Sequence, residues 1–273
     1  MKSKKILFFY ILVLFLLFLK IDFRITNDLN CCGDDYDYFS HAVTIGEDFD
    51  FDYSNQLPNK SRFFRNNKDA PFGFVGTGLL SSPFILLGNI LDYIFGDLGE
   101  SGASFKFLLY SFSSIFYFLF ALYLLKQISL YFEVNFNYFH YFLGSGIIYY
   151  VFERYSMTPI YEVFTILLII LLTINFITDQ TKIKQYSLLI PLSVLLAILV
   201  RWTNLFALLI PAIIILTSDD YKNLFKKIMN KYFVISVMAS LGLFAIHSQL
   251  IYGVVTFSPS YVYMVDEFDN LVQ

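Results

Sequence analysis

The sequence predicts an all-α polytopic membrane helix bundle of about seven spans, and three observations predict it. Of 273 residues, 57% are apolar and only 15% are charged, which is far outside the soluble globular range. The apolar residues fall into several separate runs, so the chain is more than a soluble domain on an anchor. Ten-residue segments of alternating polarity, the signature of a membrane barrel, are absent.

The first element is the run "ILFFYILVLFLLFLK" behind "MKSKK". It has the basic flank and apolar stretch of a signal sequence but no small-x-small cleavage site, so it reads as a retained first span with a cytoplasmic N-terminus. Further runs fall at about 79–95, 105–125, 137–152, 161–177, 186–200, 202–217 and 232–252. Positive-inside counting sorts them. If 79–95 lies at the outer interface instead of crossing, then Lys126, Lys182, Lys184, Lys222, Lys226, Lys227 and Lys231 all fall on the cytoplasmic side. The segment "SSPFILLGNILDYIFG" suits that place, because Asn89, Asp92 and two glycines make a poor lipid-embedded span but a fair interfacial helix. The run 186–217 must cross twice, turning at "RWTN", to keep the lysines on both sides of it inside. Each short helix then covers about 24 Å of a hydrocarbon core of about 30 Å, which leaves Arg201 recessed below the outer surface.

The resulting map is a single membrane domain over 1–273, with a long outer loop at about 23–104, short outer loops at 153–160 and around 201, and an outer tail from Gly253. The ending "DEFDNLVQ" reads as a truncated chain. The expected location is a bacterial inner membrane. A net charge of −3 offers no basic surface to nucleic acid. Cys31 and Cys32, adjacent and alone, build neither a disulfide framework nor a metal site. The 33 Phe and 21 Tyr serve either as lipid-facing filler or as ring-lined sugar sites.

Three constellations on the outer side could carry chemistry. In "GDDYDYFSHA", Asp34, Asp35 and Asp37 repel one another, which can turn one of them into a general base; the other reading is an acidic, solvated loop running on into "GEDFDFD". In "ERYSMTPIYE", Thr158 is placed as an N-cap and Pro159 as a first-turn residue, which puts Glu162 in the first turn of the next span. There Glu162 either complements the helix dipole or holds a metal, amine or hydroxyl, while Glu153 and Arg154 pair with each other. Arg201 would cost about 2.5–3.5 kcal/mol at the centre of a bilayer. It therefore either faces a cavity as a phosphate ligand or snorkels to the headgroups. His247 reads as packing, and His41 and His140 form no HExxH-like pair. The glycines of "GFVGTG" lack the Lys-Ser/Thr of a phosphate loop and read as a turn before the interfacial helix.

Taken together, "GDDYDYFSHA", "DAPFGFVGTGLLSSPFILLGNILDYIFG" and "LVRWTNLFALLIPAIIIL" resemble the GT-C membrane glycosyltransferases, in particular the protein mannosyltransferase and aminoarabinose transferase branch that uses polyprenyl-phosphate sugars. The resemblance implies a sugar on polyprenyl phosphate as donor, a lipid, glycan or protein hydroxyl as acceptor, and inverting transfer at the extracytoplasmic membrane face. It places Asp34 at the catalytic Asp, Asp35 where the family has Glu and as the alternative base, and Tyr38 at the aromatic position. Arg201 matches a basic residue suited to the lipid phosphate, and Glu162 a second acid. A divalent ion between Asp34 and Glu162 is compatible with hard oxygen ligands but is not required by them. The family usually has more spans and often a C-terminal extracytoplasmic domain. The main rival class is a transporter or flippase for an anionic lipid or solute, which paired broken helices or inverted repeats would favour. A structural membrane subunit is the third.

Overall fold

The computed structural model describes residues 11, 33–57, 64–65, 68–96, 104–134 and 145–257. The expected first span (apart from Ile11), Cys31 and Cys32, His140, residues 137–144 and the tail after Phe257 lie outside the described residues. The described part is an all-α membrane helix bundle. It opens with α1 (Gly33–Val43), extended by a π-helical turn (Thr44–Asp48), and a minimal hairpin of β1 (Phe64–Arg65) and β2 (Lys68–Asp69). Helices α2 (Val75–Phe95), α3 (Phe105–Tyr131), α4 (Ile147–Phe152), α5 (Pro159–Thr178) and α6 (Ile183–Val200) follow. A 3₁₀ helix (Trp202–Leu208) then leads into α7 (Leu209–Leu216), α8 (Tyr221–Ile228) and α9 (Lys231–Tyr252). By length and composition α2, α3, α5, α6 and α9 are long and apolar enough to cross a membrane.

Contacts between the helices fix their directions. α3 and α5 run the same way, since Ser113 bonds Tyr161 at 2.7 Å and the Phe120 ring meets Phe164, two turns further along α3 and about one further along α5. α6 returns antiparallel, ending at Arg201 beside Glu162 in the first turn of α5. α9 runs with α6, because Ser236 donates to the Leu188 carbonyl near its start while Tyr252 at its end reaches the Gly73 carbonyl. The bundle therefore has two unlike ends. One gathers α1, the 153–158 loop, Glu162, Arg201 and the last turn of α9. The other gathers the α5–α6 turn, the α7–α8–α9 connections and the lysines of 182–184 and 222–231. This is the grouping that positive-inside counting requires.

α2 qualifies as a span by length and composition, but its contacts suit the interfacial place. Gly76 in its first turn meets the backbone of Leu199 and Val200, where α6 ends. Further along, Ser81 bonds Ser113 and Tyr161, and Gly88 meets Lys106. Ser113 to Lys106 is two turns of α3, about 10 Å, so α2 climbs past the ends of α5 and α6 along the start of α3. Asp92, an unfavourable residue in lipid, caps the next helix by accepting the Phe105 and Lys106 N–H groups at 2.6 and 3.0 Å. The glycines expected to form a turn have another role. Gly76 and Gly78 lie inside α2, where a Cβ would come within 2.3 Å of the Val200 backbone and of the His41 Cβ, so they permit close helix approach.

The run 186–217 turns back on itself at Arg201 as expected, with an unexpected pitch. The return stretch is 3₁₀ for seven residues before becoming α at Leu209, longer than such runs usually extend. A 3₁₀ rise of about 2.0 Å per residue gives Trp202–Leu216 about 26 Å, against about 22 Å as α-helix. The tighter helix thus helps a short segment reach the far end, where Ile215 joins Phe176, Tyr186 and Ile190. Pro211 lacks an N–H and sits in the first turn of α7, where that loss is tolerated.

Candidate functional site

The site is built on α1. The acidic stretch is a helix rather than a loop, with Asp34 and Asp35 in its first turn, where carboxylates complement the dipole. Nearly every side chain of α1 is enclosed, against α2, the 153–158 loop and the end of α9. Asp34 is the exception: it is exposed, and no described residue pairs with its carboxylate.

Its neighbour Asp35 has the opposite surroundings. It is 1% exposed, with Arg154 Nε 3.3 Å from Oδ2, Arg154 Nη2 donating to Oδ1 at 3.3 Å, and the Ser156 hydroxyl donating to Oδ1 at 2.5 Å. Burial disfavours the Arg154 charge, but the Asp35 carboxylate outweighs it and raises the guanidinium's pKa. The expected Glu153–Arg154 pair is not made: Glu153 is exposed, and Arg154 turns inward to Asp35. Asp35 therefore joins α1 to the loop that leads into α5.

Asp37 and His41 complete the seating of α1. Asp37 is buried and accepts the Phe72 N–H at 3.1 Å. His41 is fully buried, with Nε2 3.0 Å from the Gly73 carbonyl and Nδ1 2.7 Å from the Tyr53 hydroxyl. A neutral ring satisfies both by donating from Nε2 and accepting at Nδ1. Desolvation lowers its pKa to about 4, so the ring stays neutral at ordinary pH. Tyr252, from the end of α9, donates to the same Gly73 carbonyl at 3.2 Å.

Beside this seat lie the other predicted residues. Glu162 is paired with Arg201 at 3.3 Å, and Thr158 donates to the same Glu162 oxygen at 2.6 Å. Thr158 precedes the helix as expected, but its hydroxyl serves this carboxylate instead of capping a backbone N–H; Pro159 holds the first-turn place. The Arg201 side chain is half exposed, which leaves guanidinium N–H groups free of Glu162 for a further anion. Tyr38 is buried against Gly73, and its phenol feels the whole group. Burial raises the Tyr38 pKa, Asp34, Asp37 and Glu162 add to the rise, and Arg201 opposes it. One ring thus lies within electrostatic reach of Asp34, Glu162 and Arg201, residues from three separate segments of the chain.

No family model, curated protein or solved structure matches this chain. Among the described residues no three His, Cys, Asp or Glu side chains gather as a metal site. Glu162 Oε1 is already bonded to Arg201 and Thr158, so a cation between Asp34 and Glu162 would have to be held by the other oxygen. Sequence reasoning missed Ser156, Asn204 and the inward turn of Arg154. Asn204 donates to the Ala197 carbonyl at 3.0 Å and ties the 3₁₀ helix to the end of α6 beneath Arg201.

Proposed function

We propose that the protein is a glycosyltransferase that moves a sugar from a polyprenyl-phosphate donor to an acceptor hydroxyl at the Arg201 end of the bundle, the extracytoplasmic face. The observation that carries the reading is the pairing of unlike roles around Tyr38. An exposed carboxylate without a described partner, Asp34, shares that ring's surroundings with a half-exposed guanidinium, Arg201. In this reading Asp34 takes the proton from the acceptor hydroxyl as its oxygen bonds to the anomeric carbon. The bond from that carbon to the phosphate oxygen breaks on the opposite side, with inversion, and the polyprenyl phosphate leaves with the electron pair. Arg201 stabilises the charge that grows on the phosphate. Glu162 holds Arg201 in place from the first turn of α5. Asp35, already bonded to Arg154 and Ser156, orients α1 and leaves proton transfer to Asp34.

The test is sugar transfer by the full chain in proteoliposomes supplied with a panel of polyprenyl-phosphate sugars. Asp34→Asn should lower transfer by about 100-fold or more with insertion unchanged. Arg201→Gln should also lower it, chiefly in the rate at saturating donor. Full transfer by Asp34→Asn would overturn the assignment.

A further inference from the structure

We propose that the end of the bundle away from Arg201 carries a binding site for anionic glycerophospholipid headgroups, formed by α8 lying in the membrane plane together with Lys184 and Lys231. The 179–231 connections hold Lys182, Lys184, Lys222, Lys226, Lys227 and Lys231 against Asp179, Asp219 and Asp220, a local excess of cations in a chain whose net charge is −3. Lys182 stands 3.8 Å from Asp179. Among the described residues Lys184, Lys222, Lys226 and Lys231 have no carboxylate within ion-pair distance.

α8 has the build of an interfacial helix. Leu224 and Ile228, four residues apart, are buried against Phe176, Tyr186 and Ile215. Lys222 and Lys226 are exposed on the opposite side. Phe225 and Met229 are 55% and 52% exposed beside them. A surface meeting only water gains nothing by presenting those side chains among ammonium groups, whereas the boundary between acyl chains and headgroups accommodates both. The helix also lies at the end of the bundle, where the leaflet's headgroups must be.

A second feature gives the surface a focus. The Lys184 and Lys231 ammonium groups stand 5.7 and 5.3 Å from the centroid of one ring, Tyr232. Two like charges held on one ring repel, and an anion between them relieves the repulsion. Asn230 fixes the start of α9 there, donating to Ser187 at 2.8 Å and accepting the Tyr232 and Phe233 N–H groups. A phosphodiester headgroup supplies the negative charge, and its acyl chains cover Phe225 and Met229.

The full chain, purified in a neutral detergent, would be loaded with equal amounts of phosphatidylglycerol and phosphatidylcholine, and the lipid retained per protein counted by native mass spectrometry. Phosphatidylglycerol should be retained selectively. Lys184→Gln combined with Lys231→Gln should reduce its retention by about fivefold for each lysine removed and leave phosphatidylcholine unchanged. Should that variant fail to fold, Lys222→Gln with Lys226→Gln, on the exposed side of α8, should show the same selective loss. Equal retention of the two lipids by the unaltered chain would overturn the proposal. So would undiminished phosphatidylglycerol retention in a folded variant, or its displacement by millimolar inorganic phosphate, which would indicate a site for soluble anions.

Discussion

The two ends of this bundle treat charge in opposite ways. At the Arg201 end, the acids other than Asp34 are drawn into the packing and matched: Asp35 with Arg154 and Ser156, Glu162 with the half-exposed Arg201 and with Thr158, Asp37 with the Phe72 N–H. At the lysine end Lys182, Lys184, Lys222, Lys226 and Lys231 stand on the surface, and the one contact with an acid there, Lys182 to Asp179 at 3.8 Å, is itself open to solvent. Enclosure is costly unless every charge has its partner, so the first end must hold a defined geometry. An exposed cluster needs no fixed geometry and suits a diffuse partner such as a lipid leaflet. The contrast separates a place built to position groups from a surface built to attract them.

Substitutions can break or sharpen that contrast. The largest expected effect is at the enclosed pair. Arg154→Ala leaves the Asp35 carboxylate buried without its guanidinium, and should cost about 3–5 kcal/mol in unfolding followed in detergent. A melt like that of the unaltered chain would show that the Arg201 end is not the ordered one.

Next is the pH dependence of the His41 seat. The folded ring has a pKa of about 4, below its unfolded value of about 6.5, so the unfolded chain takes up the proton first. The contribution is fully present above about pH 6.5 and is lost as pH falls toward 4, on the order of 3 kcal/mol. His41→Gln should flatten that part of the stability profile, and an unchanged profile would refute the seat.

A smaller effect is expected at the helix contacts. Gly78→Ala drives a Cβ into His41 and the Ala42 backbone and should cost about 1–3 kcal/mol, read as a lowered melting temperature. Smaller again is Arg201→Gln, whose half-exposed pair with Glu162 should contribute about 0–1 kcal/mol to stability while mattering to transfer. At the other end, Lys182→Gln should leave the melting temperature unchanged, because Asp179 and Lys182 meet in solvent.

Much of this arrangement was legible in the sequence because it follows from polarity alone. The apolar runs mark α3, α5, α6 and α9, four of the helices long and apolar enough to cross a membrane, and the requirement that the 182–184 and 222–231 lysines share a side points to the turn at Arg201 and the common end of Asp34, Glu162 and Arg201. What was not legible depends on contacts between distant residues. Arg154 follows Glu153 directly, yet its partner lies 119 residues earlier in the chain. The acidic stretch has the composition of a solvated loop, and only the surfaces supplied by α2, the 153–158 loop and α9 make it a buried helix. The glycines of "GFVGTG" look like a turn until the backbones of Val200 and Ala42 are seen against them.

The 3₁₀ segment behind Arg201 has a mechanical consequence. A seven-residue stretch that relaxed to α-helix would shorten by about 3.5 Å and rotate by roughly 140°, since the two forms differ by about 0.5 Å and 20° per residue. Arg201 stands at one end of that stretch and α7, packed against Ile190 and Leu224 through Ile215, at the other. The segment is thus a screw with one end clamped, and Asn204 on the Ala197 carbonyl is its catch. Spin labels at 201 and 216 would report the pitch directly: a single separation unaltered by Asn204→Leu would mean the thread is locked, and a second, shorter one that it turns.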